Sequence, residues 1–296
     1  MKVPTNCNTP EALAALVSIK HLVFDMDGTI YLGERVLPGA ADALRRLARS
    51  GRDISFFTNN TSKSIEDYFT KLNSLGFDAA HERIDSAADV TIDYIKSAHP
   101  GRSVFLLGTP SLAAAFENAG IELFTDEKAE PAGSDTYSLP AALPGLVVTG
   151  FDLTLTYRRL ERACRFIHGG IPWISTHPDI NCPIDGGFIP DCGAINKLIS
   201  VSTGKQPEVF GKPYSQTVNF LEKRYGIPRQ NMAIIGDRLY TDIALGKASG
   251  MLAVLVLTGE ASLGEALALP SEKRPDLIFK SVKEMTEMIL KDGLIC

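Results

Sequence analysis

Short apolar runs alternate with helix-patterned segments along most of this chain, and glycine closes many of the pairs. His21-Leu-Val-Phe-Asp25 precedes a helical stretch from Pro38 to Ser50, with Ala41, Leu44, Leu47 and Ala48 on one face and Gly51 as its stop. Ile54-Ser-Phe-Phe-Thr58 precedes a second helix from Ser64 to Leu75, stopped by Gly76. Proline opening and glycine closing a helix is the expected polarity. An apolar run of four or five residues that repeats between helices predicts a parallel strand buried on both faces.

The unit recurs. Val104–Leu107 leads into a helix over Ser111–Asn118, and Leu146–Thr149 into one over Tyr157–Ile167. Trp173–Ser175, Glu208–Phe210, Met232–Ile235 and Ala253–Val256 read as further strands. Helices are expected near 10–19, 214–225, 241–249 and 282–291. The stretch 126–145, rich in Pro, Gly and Asp, reads as a loop excursion. No internal repeat or low-complexity tract interrupts the pattern. A length of 296 residues has room for about two domains.

In a doubly wound sheet, ligands gather at the carboxyl ends of the strands. Here those ends carry Asp25-Met-Asp27-Gly28-Thr29, Thr58-Asn59-Asn60, Gly211-Lys212-Pro213 and Gly236-Asp237-Arg238, with Asp242 just beyond. Each string alone is also what a turn or a helix cap looks like. Together they place several carboxylates, a lysine and a hydroxyl–amide cluster at the ends of four predicted strands.

Clustered carboxylates repel one another and call for a cation, and an all-oxygen donor set suits Mg²⁺. A carboxylate shielded in this way can attack phosphorus and form an aspartyl-phosphate. A second acid two residues on can protonate a leaving oxygen, although Asp27 lies beyond the strand and spacing alone does not fix its geometry.

Other chemistries fail on spacing. An EF-hand loop starting at Asp25 needs Gly and Glu where Ile30 and Val36 stand. Lys212 and Lys205 are followed by Pro213 and Gln206, which excludes a Walker loop. The five histidines do not pair with cysteines at zinc spacing. A net charge of −5 offers no basic footprint for nucleic acid or an anionic membrane. No apolar run approaches the length of a membrane span. Five scattered cysteines without a C-x-x-C pair read as reduced thiols, and with no signal peptide this predicts a cytoplasmic protein.

The four strand-end strings, in this order, resemble the four motifs of the haloacid dehalogenase (HAD) superfamily. The run Gly236-Asp237-Arg238-Leu-Tyr-Thr-Asp242 resembles more narrowly its NagD-like, p-nitrophenylphosphatase branch. That resemblance spans nearly the whole chain. It implies a Rossmann-like, doubly wound parallel sheet core with an inserted α/β cap domain. The core is expected over 1–81 and 189–296, and the cap over 82–188.

The resemblance implies a Mg²⁺-dependent phosphatase acting on a small phosphorylated metabolite. Asp25 would be nucleophile and metal ligand. Asp27 would be acid and base, ligating the metal through its backbone carbonyl. Thr58 and the amide of Asn59 would hold phosphate, and Gly28 would let the backbone pass close to it. Lys212 would neutralise nucleophile and phosphate. Asp237 would complete the metal site, with Asp242 behind it.

In the cap, Ser175-Thr176-His177-Pro178-Asp179-Ile-Asn-Cys182-Pro183 is similar to the branch's T-N-x-D-x-x-x-P segment, with His177 in the place of Asn. Cys182 stands where vertebrate-type pyridoxal phosphate phosphatases carry His, which argues against that substrate. His177, Asp179 and Cys182 are the candidate substrate contacts there. A homodimer through the cap is compatible with the branch. A phosphotransferase on the same scaffold, or a binding protein that has lost turnover, remain the alternatives.

Overall fold

The computed structural model describes residues 8–80, 83–125, 142–184 and 186–292. In chain order the elements are α1 (Pro10–Ser18), β1 (His21–Phe24), β2 (Tyr31–Leu32), β3 (Arg35–Val36), α2 (Ala40–Arg49), β4 (Asp53–Thr58), α3 (Ile65–Ser74) and β5 (Ile84–Ser86). Then come α4 (Ala87–Ala98), β6 (Val104–Leu107), α5 (Pro110–Asn118), β7 (Leu146–Thr149), α6 (Tyr157–His168), β8 (Trp173–Ser175), β9 (Asn181–Ile184), β10 (Gly187–Pro190), α7 (Cys192–Thr203) and β11 (Glu208–Val209). The chain closes with α8 (Ser215–Tyr225), β12 (Met232–Gly236), α9 (Ala244–Ser249), β13 (Leu252–Val256), α10 (Leu263–Ala268), β14 (Leu277–Phe279) and α11 (Val282–Asp292).

These elements form two compact units. The first comprises 1–58, 65–85 and 212–296, and the second 59–64 and 86–211.

The first unit is built on a six-stranded sheet in the order β14-β13-β12-β1-β4-β5. β1 lies in its interior, parallel to β12 on one side and to β4 on the other. All four of its residues are buried, which is why its sequence is a continuous run rather than an alternation. Strand order reverses at β1: the next strand of this sheet in sequence, β4, lies on one side and β12 and β13 on the other. That is the switch point at which a crevice opens. α2 buries Ala40, Ala43, Leu44 and Leu47 in a core shared with Phe24, Phe56, Leu72, Val254 and Met285.

The second unit carries a four-stranded sheet in the order β11-β8-β7-β6, with each neighbouring pair parallel. Its core joins Phe105, Leu107, Val147, Phe166, Trp173, Ile195 and Ile199. β9 and β10 form an antiparallel hairpin, with Phe188 opposite Pro183.

The division between units differs from the sequence expectation at its far end. β11, expected to be a strand of the core sheet, pairs with β8 (Val209 beside Ser175), so the second unit runs on to Gly211 instead of ending near 188. α7 belongs with it, because Ile195 and Ile199 are buried in that unit's core. The segment expected as one helix over 241–249 is divided: a turn of π-helix over Leu239–Ile243 leads into α9. Most of the 126–145 excursion lies outside the described residues.

Candidate active site

The register of three strands assembles the site. Phe24 of β1 is level with Ile235 of β12 and Phe56 of β4. The residues that follow each strand therefore share one edge of the sheet, and neighbouring strands lie about 4.8 Å apart. Asp25 continues the ladder beyond β1, its N–H donating to the carbonyl of Ile235 at 2.8 Å. Asp237 follows β12 directly, and Thr58 is the last residue of β4.

Lys212 and Asp242 complete the arrangement. The Lys212 ammonium donates to Asp25 Oδ1 at 2.5 Å, to Asp242 Oδ1 at 2.7 Å and to the carbonyl of Phe57 at 3.3 Å. Asp242 is fully buried, reached through the π-helical turn, and its other carboxylate oxygen accepts from Thr241 Oγ1 at 3.1 Å. A π turn displaces side chains relative to an α-helix and is frequent at functional sites. Asp25, Asp237 and Asp242 each offer a carboxylate oxygen, all within 4.8 Å of one another.

Asp237 is fixed by residues that the sequence reading had not assigned. Its Oδ2 accepts from the backbone N–H of Glu260 at 2.8 Å, and its Oδ1 from Thr29 Oγ1 at 3.2 Å. Thr258 Oγ1 donates to the carbonyl of Gly28 at 2.7 Å, tying the turn after β13 to the turn after β1. Gly28 has φ +82°, and a Cβ there would lie 2.5 Å from Asp237 Oδ2, so both backbone and space require glycine. A Cβ on Gly259 would fall 1.9 Å from the same oxygen. In sequence, Thr258-Gly259-Glu260 is an ordinary turn; only its place after a predicted strand could have flagged it.

Three carboxylates around one ammonium leave negative charge uncompensated. Burial pushes the Asp25 carboxyl up to about 8; Lys212 opposes this, and Asp242 and Asp237 add to it. Asp237 is pushed up to about 6, first by burial and then by Asp242, against the Glu260 N–H bond. Burial pulls Lys212 down, but Asp242 and Asp25 outweigh it and hold the ammonium above the ordinary lysine range. Such a site favours one more cation. The donor set fits a hard divalent ion, because every ligand available in the cluster is oxygen.

The remaining expected residues fall as follows. Asp27 is half-buried in the turn after β1, where it bridges to Tyr31. Asn59 follows Thr58 in the chain but belongs to the second unit, where its Nδ2 donates to Asp179 Oδ1 at 2.9 Å. His177 and Asp179 are buried in that unit together with Asp191. His177 Nδ1 lies 3.9 Å from Asp179 Oδ1, and its Nε2 lies 3.6 Å from Asp191 Oδ1. Asp191, which also caps α7 through the N–H of Cys192 at 2.5 Å, was not singled out from sequence. Cys182 lies half-buried on β9, 4.0 Å from Asn60 Nδ2; among the described residues neither it nor Cys164 nor Cys192 is in a disulfide.

Comparison with known proteins finds relatives along most of this chain. Residues 22–122 match a model described as haloacid dehalogenase-like hydrolase, and residues 209–285 match a second, HAD-hydrolase-like one. An acid sugar phosphatase of Staphylococcus aureus (strain MRSA252) is 34% identical over 244 residues, covering 82% of this chain and 88% of that protein. The chain belongs to the haloacid dehalogenase-like hydrolase family.

A glycerol-3-phosphate phosphatase of Homo sapiens is 32% identical over 268 residues, covering 86% of this HAD chain and 84% of the human one. The crystal structure of a 4-nitrophenylphosphatase from Thermotoga maritima superimposes with a TM-score of 0.82 at 38% identity, covering 92% of this chain and 98% of that one. These neighbours place the chain in the NagD-like, p-nitrophenylphosphatase branch of the HAD family. The protein is a phosphoric monoester hydrolase of that family. No helix among the described residues is long and apolar enough to cross a membrane.

Proposed function

We propose that this HAD phosphatase hydrolyses small phosphate monoesters through a phosphorylated Asp25. The observation that carries the reading is the grip of Lys212 on Asp25, at 2.5 Å, with Asp237 and Asp242 beside it. In the first half-reaction an Asp25 oxygen attacks phosphorus while the ester P–O bond breaks. Asp27 gives its proton to the leaving oxygen, so the alcohol departs neutral. In the second, Asp27 takes a proton from water, the water oxygen attacks phosphorus, and the bond to Asp25 breaks to release inorganic phosphate. One acid thus serves as donor and then as base.

Thr58 and the backbone amide of Asn59 are assigned to the phosphoryl oxygens. Lys212 keeps Asp25 in its ionised, attacking form and offsets charge as the phosphate approaches. Asp25, the carbonyl of Asp27 and Asp237 would hold Mg²⁺, with Asp242 anchoring Lys212 behind them. When bound, the ion supplies charge neutralisation between carboxylate and phosphate. The second compact unit is assigned as the cap of the branch, and His177, Asp179 and Cys182 are its candidates for substrate recognition. Two relatives are named for sugar phosphate and glycerol 3-phosphate, and this supports a polyol or sugar phosphate as substrate class.

The test is phosphate release from a panel of esters, including p-nitrophenyl phosphate, with Mg²⁺ or with EDTA, for wild type and Asp25→Asn. Turnover that requires both the metal and Asp25 is expected, ranked towards small polyol phosphates. Turnover retained by Asp25→Asn would overturn the covalent mechanism.

A further inference from the structure

At the opposite edge of the first unit's sheet, four arginines line a cavity of about 300 Å³. Arg45 and Arg49 come from the last turns of α2, one turn apart on one face. Arg52 comes from the turn before β4, and Arg83 immediately precedes β5. Leu44, Ile54, Phe56, Phe77 and Ala79 supply apolar walls. β4 enters the cavity through Asp53 and Ile54, its first residues, whereas Thr58 at its other end belongs to the catalytic rim. Five residue steps separate Asp53 from Thr58, roughly 17 Å along the strand.

The charge around this cavity is not balanced. Its lining holds the four guanidiniums against two carboxylates, Asp53 and Asp78. Asp53 is already engaged by Arg83, at 3.1 Å. Arg45 donates to the carbonyl of Gly76 at 2.9 Å, and its nearest carboxylate, Asp42, stands off at 3.9 Å. Among the described residues, Arg52 donates only to neutral oxygens, the carbonyl of Val17 at 2.9 Å and Ser50 Oγ at 2.8 Å. Its Nε is buried and lacks a hydrogen-bond partner among the described residues. Burial alone lowers the pKa of that guanidinium, a sign that its charge is paid for and not repaid by a neighbour. Arg49 forms no ion pair among the described residues. In a chain of net charge −5, this is a local excess of positive charge around a concave surface with apolar walls.

We infer that this cavity is a second ligand site, distinct from the catalytic rim, for a small organic phosphate with two or more negative charges and an apolar body. Guanidinium is the side chain best matched to phosphate oxygens, since its planar fork donates two parallel bonds. A volume of about 300 Å³ lies within the range of small-molecule sites. The apolar walls formed by Leu44, Ile54 and Phe77 would receive the body while Arg45, Arg49 and Arg52 take the phosphate. A ligand held there touches neither Asp25 nor Lys212, which do not line the cavity, so it does not compete with substrate.

The probes are ADP, which has such a body, and inorganic pyrophosphate, which lacks one. Each is titrated calorimetrically into the full-length protein in EDTA, where turnover is halted. Arg49→Glu is compared with Arg46→Glu, which lies on the same helix, is exposed, does not line the cavity and changes net charge equally. The expected result is ADP binding tighter than pyrophosphate, weakened at least tenfold by Arg49→Glu and little changed by Arg46→Glu. Both variants should hydrolyse p-nitrophenyl phosphate as wild type does. Wild-type affinity for ADP in Arg49→Glu, or no binding of either probe at millimolar concentration, would overturn the site. Pyrophosphate binding as tightly as ADP would overturn the apolar half of the proposal.

Discussion

Lys212 Nζ lies 2.5 Å from Asp25 Oδ1, and the same ammonium is held from the other side by Asp242 at 2.7 Å. Lys212 is almost wholly buried, so this is a charge taken out of water and repaid by two carboxylates. Removing one partner of such a pair is far costlier than the pair's net worth, about 3–5 kcal/mol, because the others stay buried without compensation. Lys212→Met should therefore lower stability in a thermal melt. It should also move the acidic limb of the pH–rate profile upwards. Lys212 works against burial to keep Asp25 ionised, and without it Asp25 holds its proton to higher pH. An unmoved limb would mean that Lys212 does not govern ionisation of the nucleophile.

Asp27 is assigned the leaving-group proton, and this separates substrates by their need for it. An aryl oxygen leaves as a stable anion, whereas an alkyl oxygen needs protonation. Asp27→Asn should cut kcat for an alkyl phosphate by about two orders of magnitude or more, within the usual range of acid–base contributions, and much less for p-nitrophenyl phosphate. Equal losses across a series of leaving groups would remove Asp27 from that role.

Much of the core was legible in the sequence because fully buried parallel strands leave an unambiguous trace. His21–Phe24 and Met232–Gly236 are continuous apolar runs ending at acids, and those acids meet in space. What escaped was contact made by unremarkable residues. Thr258, Gly259 and Glu260 hold Asp237 and the Gly28 turn through a hydroxyl, an absent side chain and a backbone N–H, none of which has a sequence signature. The sheet to which β11 belongs escaped for a related reason. β11 is two residues long, and nothing in Glu208-Val209 says which of two sheets it will join. The pairing of His177 with Asp191 joins a loop to a helix cap fourteen positions away, beyond what local pattern can show.

The raised carboxylates set a pH dependence for the metal-free protein. A folded-state pKa above the unfolded one means that the folded protein binds the extra proton between the two values. Stability from that source is full below the unfolded value and is lost as pH rises through the folded one. For Asp237 the window runs from the ordinary aspartate value of 3.8 to about 6, and for Asp25 from 3.8 to about 8. In EDTA, the contribution of these two groups to stability should therefore decline between pH 4 and pH 8, roughly. A divalent ion binds the ionised carboxylates and must displace those protons. The rise in Tm on adding Mg²⁺ should thus be larger at about pH 8 than at pH 5, with proton uptake by the buffer visible in calorimetry. A Mg²⁺ effect independent of pH would show that Asp25 and Asp237 are not its ligands.

Gly259 provides a test of the metal site that touches no charged residue. A methyl group there would lie 1.9 Å from Asp237 Oδ2 and 2.5 Å from its Cγ, so the carboxylate must move or the turn must open. The turn is held by the Glu260 N–H bond to the same oxygen, so either response releases Asp237 from its position between Thr29 and Glu260. Gly259→Ala should raise the Mg²⁺ concentration needed for half-maximal activity by about tenfold or more, the scale at which residues supporting a metal ligand act. Saturating Mg²⁺ should restore part of kcat, because Asp25, Asp27 and Lys212 are untouched. Gly33 is the comparison, since a Cβ there meets nothing within 4 Å, and Gly33→Ala should leave the Mg²⁺ requirement as it is. A Gly259→Ala enzyme with wild-type Mg²⁺ dependence would show that Asp237 does not hold the ion.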